Sequence, residues 1–283
     1  MILFKKTVDL RKWIDNQQIA GKKIGFVPTM GALHDGHISL IKTSKAQDHV
    51  TICSIFVNPA QFNDSKDFEK YPVTIEKDIL LLEESGCNVL FLPSVAEIYP
   101  DGFISRKHFE LGFIETFLDG KYRPGHFQGV CMVVERLLKI VLPDQLYLGQ
   151  KDYQQCMVIK KLIELIGLTD KINLVICPTL REQNGLAMSS RNMRLSKDEK
   201  ETASIIFKTL NYIKANMKTL NPPSLKLSAQ KMLEAAGLKP DYVEIADATN
   251  LAQVEEWNPN QKMVTLIAAF INEVRLIDNM LLN

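Results

Sequence analysis

Two histidines three positions apart, His34 and His37, are well placed in this sequence to bind an anion. They follow an apolar run over residues 23–27 and lie at the start of a stretch with helical periodicity. A helix that begins near Asp35 would place both imidazoles at its N-terminus, where N–H groups and the helix dipole attract anions. Pro28 is expected to end the preceding strand, because proline has no N–H to donate to a sheet. The segment predicts a site for a nucleotide phosphate.

Two other interpretations of the histidine pair remain open. Histidines at a helix start can form a capping turn, or they can be two ligands of a metal site. A metal site needs a third His, Cys or carboxylate, and the other histidines, His49, His108 and His126, are scattered along the chain. The predicted strand before the pair and the helix after it favour the phosphate site.

The composition is that of a soluble globular protein and limits the possible partners. The 283 residues include 34 Lys and Arg and 33 Asp and Glu, for a net charge of +1. This near-neutral net charge gives no positive electrostatic field that would attract nucleic acid. No apolar run is long enough to span a membrane. The N-terminal residues lack the apolar core of a secretory signal, and the five cysteines include no CxxC pair. These features predict a cytoplasmic protein with reduced thiols.

Apolar runs alternate with helical patterns in the first part of the chain, which predicts a parallel α/β sheet. The predicted strands cover residues 23–27, 50–57, 88–92, 144–148 and 172–176. Besides the helix after the histidine pair, helices are predicted over residues 8–20, 67–86, 127–141 and 153–166. We expect residues 1–177 to form one Rossmann-like, doubly wound domain. Ligands bind at the carboxyl ends of such strands, so the segments after Val27, Val57 and Leu148 are expected to meet.

The pattern changes beyond Cys177. Helices are predicted over residues 197–217 and 228–236, with a linker at Pro222 and Pro223 between them. Strands are predicted over residues 242–246, 263–271 and 274–277, and Asn272 and Glu273 are expected to join the last two as a hairpin. We therefore expect residues 178–283 to form a smaller α+β domain, hinged near Pro178.

Polar side chains follow two other predicted strands. Asn58 and Gln61 come after the second strand, although an ordinary Asn-Pro turn would have the same sequence. Lys151 and Asp152 come after the fourth, where a lysine could neutralise phosphate charge, and a solvated turn capped by Asp152 is the alternative. The small, polar loop over residues 184–192 has one guanidinium and is typical of a mobile lid or of an interdomain connection.

Five segments, taken together and in order, resemble the pantothenate synthetase family. They are residues 28–37 (PTMGALHDGH), 56–62 (FVNPAQF), 123–127 (RPGHF), 149–155 (GQKDYQQ) and 188–192 (MSSRN). The resemblance covers nearly the whole chain. The first and last segments are also similar, more loosely, to the two signature motifs of nucleotidyl-transferases that include class I aminoacyl-tRNA synthetases. One departure lies at residues 118–120, which read Leu-Asp-Gly where the family usually has Leu-Glu-Gly.

The resemblance implies an ATP-dependent ligase that joins pantoate to β-alanine through a pantoyl adenylate and releases pyrophosphate and AMP. It implies that ATP contacts Met30, His34, His37, Gly149, Lys151, Asp152, Ser189 and Arg191. Of these, the catalytic residues would be His34, His37 and Lys151. Pantoate would contact Asn58, Gln61 and Gln155. The resemblance also implies a homodimer formed through the first domain, and Mg²⁺ held mainly by the phosphates of ATP.

Three other functions remain open. An adenylyltransferase would use the same histidine pair but needs no acyl-adenylate pocket, so Gln61 and Gln155 favour the ligase. A non-catalytic nucleotide-binding module would be expected to have lost some phosphate-binding residues, and all are present. A tRNA synthetase would need a basic anticodon-binding extension, and the sequence has no obvious one. Arg123 and His126 are expected to have structural rather than catalytic roles.

Overall fold

The structure is a computed structural model that describes residues 1–47, 50–63, 65–102 and 107–283, without the side chains of Ser65 and Lys66. His49, one of the scattered histidines, lies outside the described residues. In this part of the chain, six strands form a parallel sheet and three form an antiparallel sheet. No helix in the described ranges has the length and the apolar character needed to cross a membrane.

The parallel sheet contains the strands of the first two thirds of the chain. They are β1 (Ile2–Phe4), β2 (Ile24–Thr29), β3 (Val50–Ile55), β4 (Val89–Phe91), β5 (Gln145–Gly149) and β6 (Asn173–Cys177). The accompanying helices are α1 (Thr7–Ile19), α2 (Asp35–Ala46), α3 (Ser65–Glu69), α4 (Ile75–Glu84), α5 (Val95–Ile98), α6 (Asp119–Tyr122), α7 (His126–Val141) and α8 (Tyr153–Leu165). Apolar, β-branched strands of this kind form sheets that are buried on both faces, and residues 51–55 of β3 are all buried.

The strand order explains where a ligand can bind. The order is β1-β4-β3-β2-β5-β6, so the chain runs outward from β2 through β3 to β4 in one direction and from β5 to β6 in the other. The carboxyl ends of β3, β2 and β5 therefore lie side by side, with the reversal of strand order between β2 and β5. Such a switch point is the usual binding site of a doubly wound sheet. The predicted Rossmann-like fold is confirmed.

The antiparallel sheet belongs to the last third of the chain. Its strands are β7 (Lys239–Asp247), β8 (Met263–Ile271) and β9 (Val274–Leu281), and the helices are α9 (Lys197–Ala203), α10 (Ile205–Asn216) and α11 (Pro222–Ala235). The helices and the sheet share an apolar core that includes Leu210, Leu233 and Ile267. The predicted α+β character is confirmed, as is the hairpin between β8 and β9.

The chain divides into two compact units. The first comprises Met1–Gly149 and Val158–Pro178, and the second comprises Gln150–Met157 and Thr179–Asn283. The predicted domains, 1–177 and 178–283, differ from these units chiefly in residues 150–157. That segment belongs with the second unit because its groups hydrogen-bond there: Tyr153 Oη, for example, donates to the carbonyl of Ala248 at 2.7 Å.

The prediction that Pro28 ends its strand is wrong. β2 continues through Thr29, and Pro28 is paired in register with Ser54 of β3. The register of β2 with β5 comprises Gly25 and Phe26, so Pro28 lies beyond that pairing. A proline is tolerated there because one side of the strand no longer needs a donor.

The other corrections concern helix boundaries and one strand. The helix predicted over residues 67–86 is two helices, α3 and α4, interrupted by Pro72. The helix predicted over residues 197–217 is also two, which meet at Ser204, whose hydroxyl donates to the carbonyl of Glu201. Pro222 and Pro223 are not a linker but the first turn of α11, where a missing N–H has little effect. Strand β1, which has three residues, was not predicted from the sequence.

Candidate active site

The loop between β2 and α2 brings the two histidines to the carboxyl edge of the parallel sheet. Gly31 and Ala32 both have left-handed backbone conformations, with φ of 81° and 48°. These two consecutive left-handed residues turn the chain sharply after the strand. Helix α2 then begins at Asp35, as predicted. His34 is the N-cap of α2, and His37 lies in its first turn.

The two histidines cap the helix reciprocally. Nδ1 of His34 accepts a hydrogen bond from the backbone N–H of Gly36 at 3.1 Å, and Nδ1 of His37 accepts one from the N–H of His34 at 3.3 Å. The ring centroids are 4.0 Å apart. A nitrogen that accepts a hydrogen bond carries no proton, so each neutral imidazole has its proton on Nε2. The capping turn, left open above, is therefore real, and it fixes the tautomer that makes both Nε2–H groups donors.

A buried aspartate that was not identified from the sequence holds this loop. Asp78 of α4 is 0% exposed, and its carboxylate accepts hydrogen bonds from the N–H groups of Ala32 at 2.9 Å and Leu33 at 2.8 Å. Thr74 Oγ1 donates a third at 2.9 Å. A Cβ at Gly31 would lie 3.1 Å from Asp78 Oδ2, so the loop fits closely against the carboxylate. The sequence signal was an aspartate at helical spacing from Ile75 and Leu82, on the apolar face of an amphipathic helix.

Asn58 and Gln61 form a connected pair after β3. The buried Asn58 amide donates to Gln61 Oε1 at 3.2 Å and to the carbonyl of Gly129 at 3.1 Å, and its oxygen accepts from Tyr99 Oη at 2.8 Å. Gln61 Nε2 lies 2.9 Å from Met30 Sδ. The first unit thus brings together three predicted ligand-binding residues, Met30, Asn58 and Gln61, and holds the Asn58 amide by its protein contacts.

Helix α7 supports the same loop at very short range. A Cβ at Gly129 would lie 2.1 Å from the carbonyl oxygen of Ala60, so no larger residue fits without displacement. His126 Nδ1 lies 2.7 Å from the carbonyl oxygen of Gln61, and Arg123 Nη1 lies 3.1 Å from His126 Nε2. His126 thus contacts the backbone of the Gln61 loop directly, and Arg123 contacts His126.

The second unit carries Lys151 in a short 3₁₀ turn, Gln150–Asp152, directly after β5. The Lys151 ammonium lies 3.2 and 3.3 Å from the two carboxylate oxygens of Asp152. Gly149 ends β5, and Gln155 is half-buried in the first turn of α8. The turn thus presents a cation and a carboxylate side by side.

Ser189 and Arg191 lie in another short 3₁₀ segment of the second unit. Ser189 is the N-cap of Ser190–Arg194, and its hydroxyl accepts a hydrogen bond from the N–H of Arg191 at 3.3 Å. The buried Asn192 side chain donates to Glu182 Oε1 at 2.8 Å and to the carbonyl of Ala187 at 3.0 Å. The polar loop predicted from sequence is therefore a hydrogen-bonded segment with a defined shape.

Each unit thus presents donors that suit a polyphosphate. The first offers two imidazole Nε2–H groups at the N-terminus of α2, and an amide pair in the loop after β3. The second offers Lys151 and, in another segment, Ser189 and Arg191. Cations and preorganised N–H donors stabilise the charge that develops when a phosphoryl group is attacked.

Comparisons with known proteins identify the family. The family model described as pantoate-beta-alanine ligase matches residues 2–281. A pantothenate synthetase of Porphyromonas gingivalis is 41% identical over 280 residues, which cover 99% of this chain and 98% of that protein. One from Azobacteroides pseudotrichonymphae is 44% identical over 284 residues, which cover 99% of each.

Solved structures agree. The crystal structure of pantothenate synthetase from Thermus thermophilus has a TM-score of 0.91 at 34% identity and covers 99% of both chains. The pantoate-beta-alanine ligase of Francisella tularensis, complexed with beta-gamma ATP and beta-alanine, has a TM-score of 0.83 at 40% identity, covering 99% of this chain and 97% of that one. On this agreement in sequence and fold along nearly its whole length, the chain belongs to the pantoate-β-alanine ligase family.

Proposed function

We propose that this protein is the ligase that joins pantoate to β-alanine at the expense of ATP, through an enzyme-bound pantoyl adenylate. The reciprocal capping of His34 and His37 carries the proposal, because it presents two Nε2–H donors at a helix N-terminus. Family membership and the Francisella tularensis complex support the choice of substrates.

In the first step a carboxylate oxygen of pantoate attacks the α-phosphorus of ATP, and the bond to pyrophosphate breaks. Two negatively charged groups must approach each other, so most of the catalysis consists of positioning and charge stabilisation. We assign His34, His37 and Lys151 to the phosphates in the transition state. Ser189 and Arg191 hold the departing β- and γ-phosphates.

The remaining predicted binding residues contact either the nucleotide or pantoate. Met30, Gly149 and Asp152 contact ATP, with Gly149 and Asp152 at the ribose. Gln61 and Gln155 bind the hydroxyls and the carboxylate of pantoate. Asn58, assigned above to pantoate, is better described as positioning Gln61, since its amide is buried and hydrogen-bonded to protein groups.

In the second step the amine of β-alanine attacks the acyl carbon of the adenylate. The bond from that carbon to AMP breaks, the amine loses a proton, and pantothenate forms. The N-terminus of α2 and the pair Asn58 and Gln61 hold the acyl phosphate in place. The amine and the acyl carbon therefore react in a fixed orientation.

We propose that Mg²⁺ enters with ATP. The described residues contain no group of three or more His, Cys, Asp or Glu side chains that could hold a metal ion. Mg²⁺ commonly keeps phosphate and water ligands, which suits this donor set. Bound in that way, it would neutralise phosphate charge, while the protein supplies the orienting donors.

We also propose a homodimer formed through the first unit and a location in the cytoplasm. The dimer rests on the family resemblance, and a monomer in light scattering at working concentration would contradict it. The location is supported by the free state of all five cysteines, Cys53, Cys87, Cys131, Cys156 and Cys177, as expected in a reducing compartment.

Pyrophosphate release from ATP, Mg²⁺ and pantoate tests the reaction. Without β-alanine we expect one stoichiometric burst of pyrophosphate, since the adenylate stays bound. With β-alanine, release should become continuous and match the formation of AMP and pantothenate. If pantoate elicits no pyrophosphate even with β-alanine present, the proposed substrates are wrong, and phosphate-ester acceptors would be tried next.

A further inference from the structure

Two adjacent polar residues, Asp278 and Asn279, are buried near the end of β9. They are 4% and 2% exposed, in a strand whose other buried residues are apolar. A buried amide or carboxylate destabilises the fold unless it is hydrogen-bonded, so the partners of these residues show what they are for.

The Asn279 side chain makes all its described side-chain hydrogen bonds to the turn that carries Lys151. Nδ2 donates to the carbonyl oxygens of Gln150 at 2.8 Å and Lys151 at 2.9 Å. Oδ1 accepts from Gln150 Nε2 at 3.2 Å. One buried amide thus fixes the orientation of two consecutive peptide groups, and with them the Cα–Cβ direction from which the lysine extends.

Asp278 keeps Asn279 in place. Its carboxylate accepts two hydrogen bonds from Arg181, at 2.5 and 3.1 Å, and a third from the backbone N–H of Asn279 at 2.8 Å. The Arg181 guanidinium also lies over the ring of Phe207, 4.2 Å from its centroid. The end of β9 is therefore a rigid support rather than a frayed strand terminus.

We propose that Asn279 is a positioning residue for Lys151, acting through the backbone of the Gln150–Asp152 turn. The inference rests on the proposed function, in which Lys151 stabilises the transition state of adenylate formation. A small misplacement of such a group lowers the rate steeply. Asn279 itself touches neither ATP nor pantoate in this assignment.

The test is a double-mutant cycle on the full-length protein. Asn279→Asp replaces the Nδ2 donor with an oxygen that faces two carbonyl oxygens. We expect the rate of pyrophosphate release at saturating substrates to fall by about 10-fold to 100-fold. In a Lys151→Ala background, the same substitution breaks the same backbone hydrogen bonds but has no ammonium to misplace. There we expect a further change of less than about 2-fold.

A matched control separates this role from general damage. Asn216→Asp removes an amide that donates to the carbonyl of Tyr212 at 2.9 Å elsewhere in the second unit, and its activity should equal that of the wild type. Asn279→Ala takes the place of Asn279→Asp in the cycle if the aspartate variant does not fold.

The outcomes are distinct. Wild-type rates in Asn279→Asp, or an equal loss with and without the Lys151 side chain, would overturn the positioning role while leaving the proposed reaction intact. A wild-type protein that releases no pyrophosphate with pantoate would overturn both. A loss of activity that Asn279→Asp causes only when Lys151 is present supports the inference.

Discussion

In the proposed reaction, the two imidazoles of His34 and His37 combine a structural role with a chemical one. Each uses Nδ1 to satisfy a backbone N–H at the start of α2, which leaves the proton on Nε2. The same hydrogen bonds that stabilise the helix therefore select the tautomer with a proton on Nε2, the atom that we propose donates to phosphate. The capping role and the proposed catalytic role can be separated by substitution, because some side chains cap a helix but have no N–H group in the position of Nε2.

Replacing His34 tests that separation. Asn is a good N-cap, so His34→Asn should keep the thermal stability of the wild type, whereas His34→Ala should lose about 1 kcal/mol. Both should lower the rate of adenylation by about 100-fold, since each removes one donor to the transition state. His108→Ala, at an exposed histidine, is the control and should change neither quantity. Adenylation at the wild-type rate in His34→Asn would exclude the assigned role.

Asp78 shows how a fully buried side chain can hold the backbone of a loop at the candidate site. Asp78→Ala would leave the N–H groups of Ala32 and Leu33 buried without their acceptor, which should lower the free energy of unfolding by about 3 kcal/mol. Urea unfolding measures this directly, with the exposed Glu84→Ala of the same helix as the control. A loss no larger than that of the control would show that the loop does not depend on the carboxylate.

At the scale of elements, the position of α7 depends on one glycine. Its backbone approaches the Asn58–Gln61 loop so closely that a methyl group at position 129 has no space. A helix and a loop in such contact cannot both keep their places when a side chain is added, and the loop is the softer of the two.

Gly129→Ala should therefore displace Gln61 and weaken pantoate binding. We expect the KM for pantoate to rise by about tenfold or more, from the misplacement of one ligand-binding side chain. The KM for ATP serves as the internal control and should change much less, since Met30, which contacts Gln61, is one of several residues assigned to ATP. Lys151, Ser189 and Arg191 do not lie on this loop. Equal increases in the two constants would indicate general damage rather than a local shift.

All the strands except β1, and the histidine helix, could be predicted from sequence because their signals are local. β3, for example, is a run of β-branched and apolar residues that ends before Asn58 and Pro59, and α2 begins at the expected residue. Pro28 and the pair Pro222 and Pro223 misled the prediction. Proline restricts the backbone in the same way in a strand, a linker or a first helical turn, and only the pairing partners tell them apart.

The supports of the site could not be predicted in the same way. Asp78 hydrogen-bonds to residues 32 and 33, which lie 46 and 45 positions away in the sequence. Asn279 hydrogen-bonds to Gln150, which lies 129 positions away. No periodicity or motif reports such contacts, because they depend on the tertiary arrangement of elements. The residues assigned to substrates could be proposed because they stand in short segments next to predicted strand ends.

At the scale of the whole molecule, the cysteines are packing residues. All five are buried and free. Burial raises the pKa of the Cys131 thiol to about 12 and that of Cys87 to about 11, and it raises the pKa of Cys53 and Cys177 as well. Only the thiolate reacts, so these four thiols stay protonated and inert at physiological pH.

Thiol titration checks this conclusion. The native protein at pH 8 should react only slowly with Ellman's reagent, and all five thiols should react at once in guanidinium chloride. Treatment with the reagent under native conditions should leave the ligase activity unchanged. Rapid labelling of a native thiol, with loss of activity, would contradict the packing role.

The hydrogen bonds from Asn279 to the Lys151 turn also bear on the order of events during protein synthesis. At the usual speed of a ribosome, the 129 positions between Gln150 and Asn279 take roughly 6 to 26 seconds to translate. Early in that interval the last strand of the parallel sheet is made, but the lysine turn still lacks its support. Closing so long a segment of chain is a slow, non-local step. The nascent chain can thus acquire its histidine helix early, whereas the lysine turn must wait for the last strand.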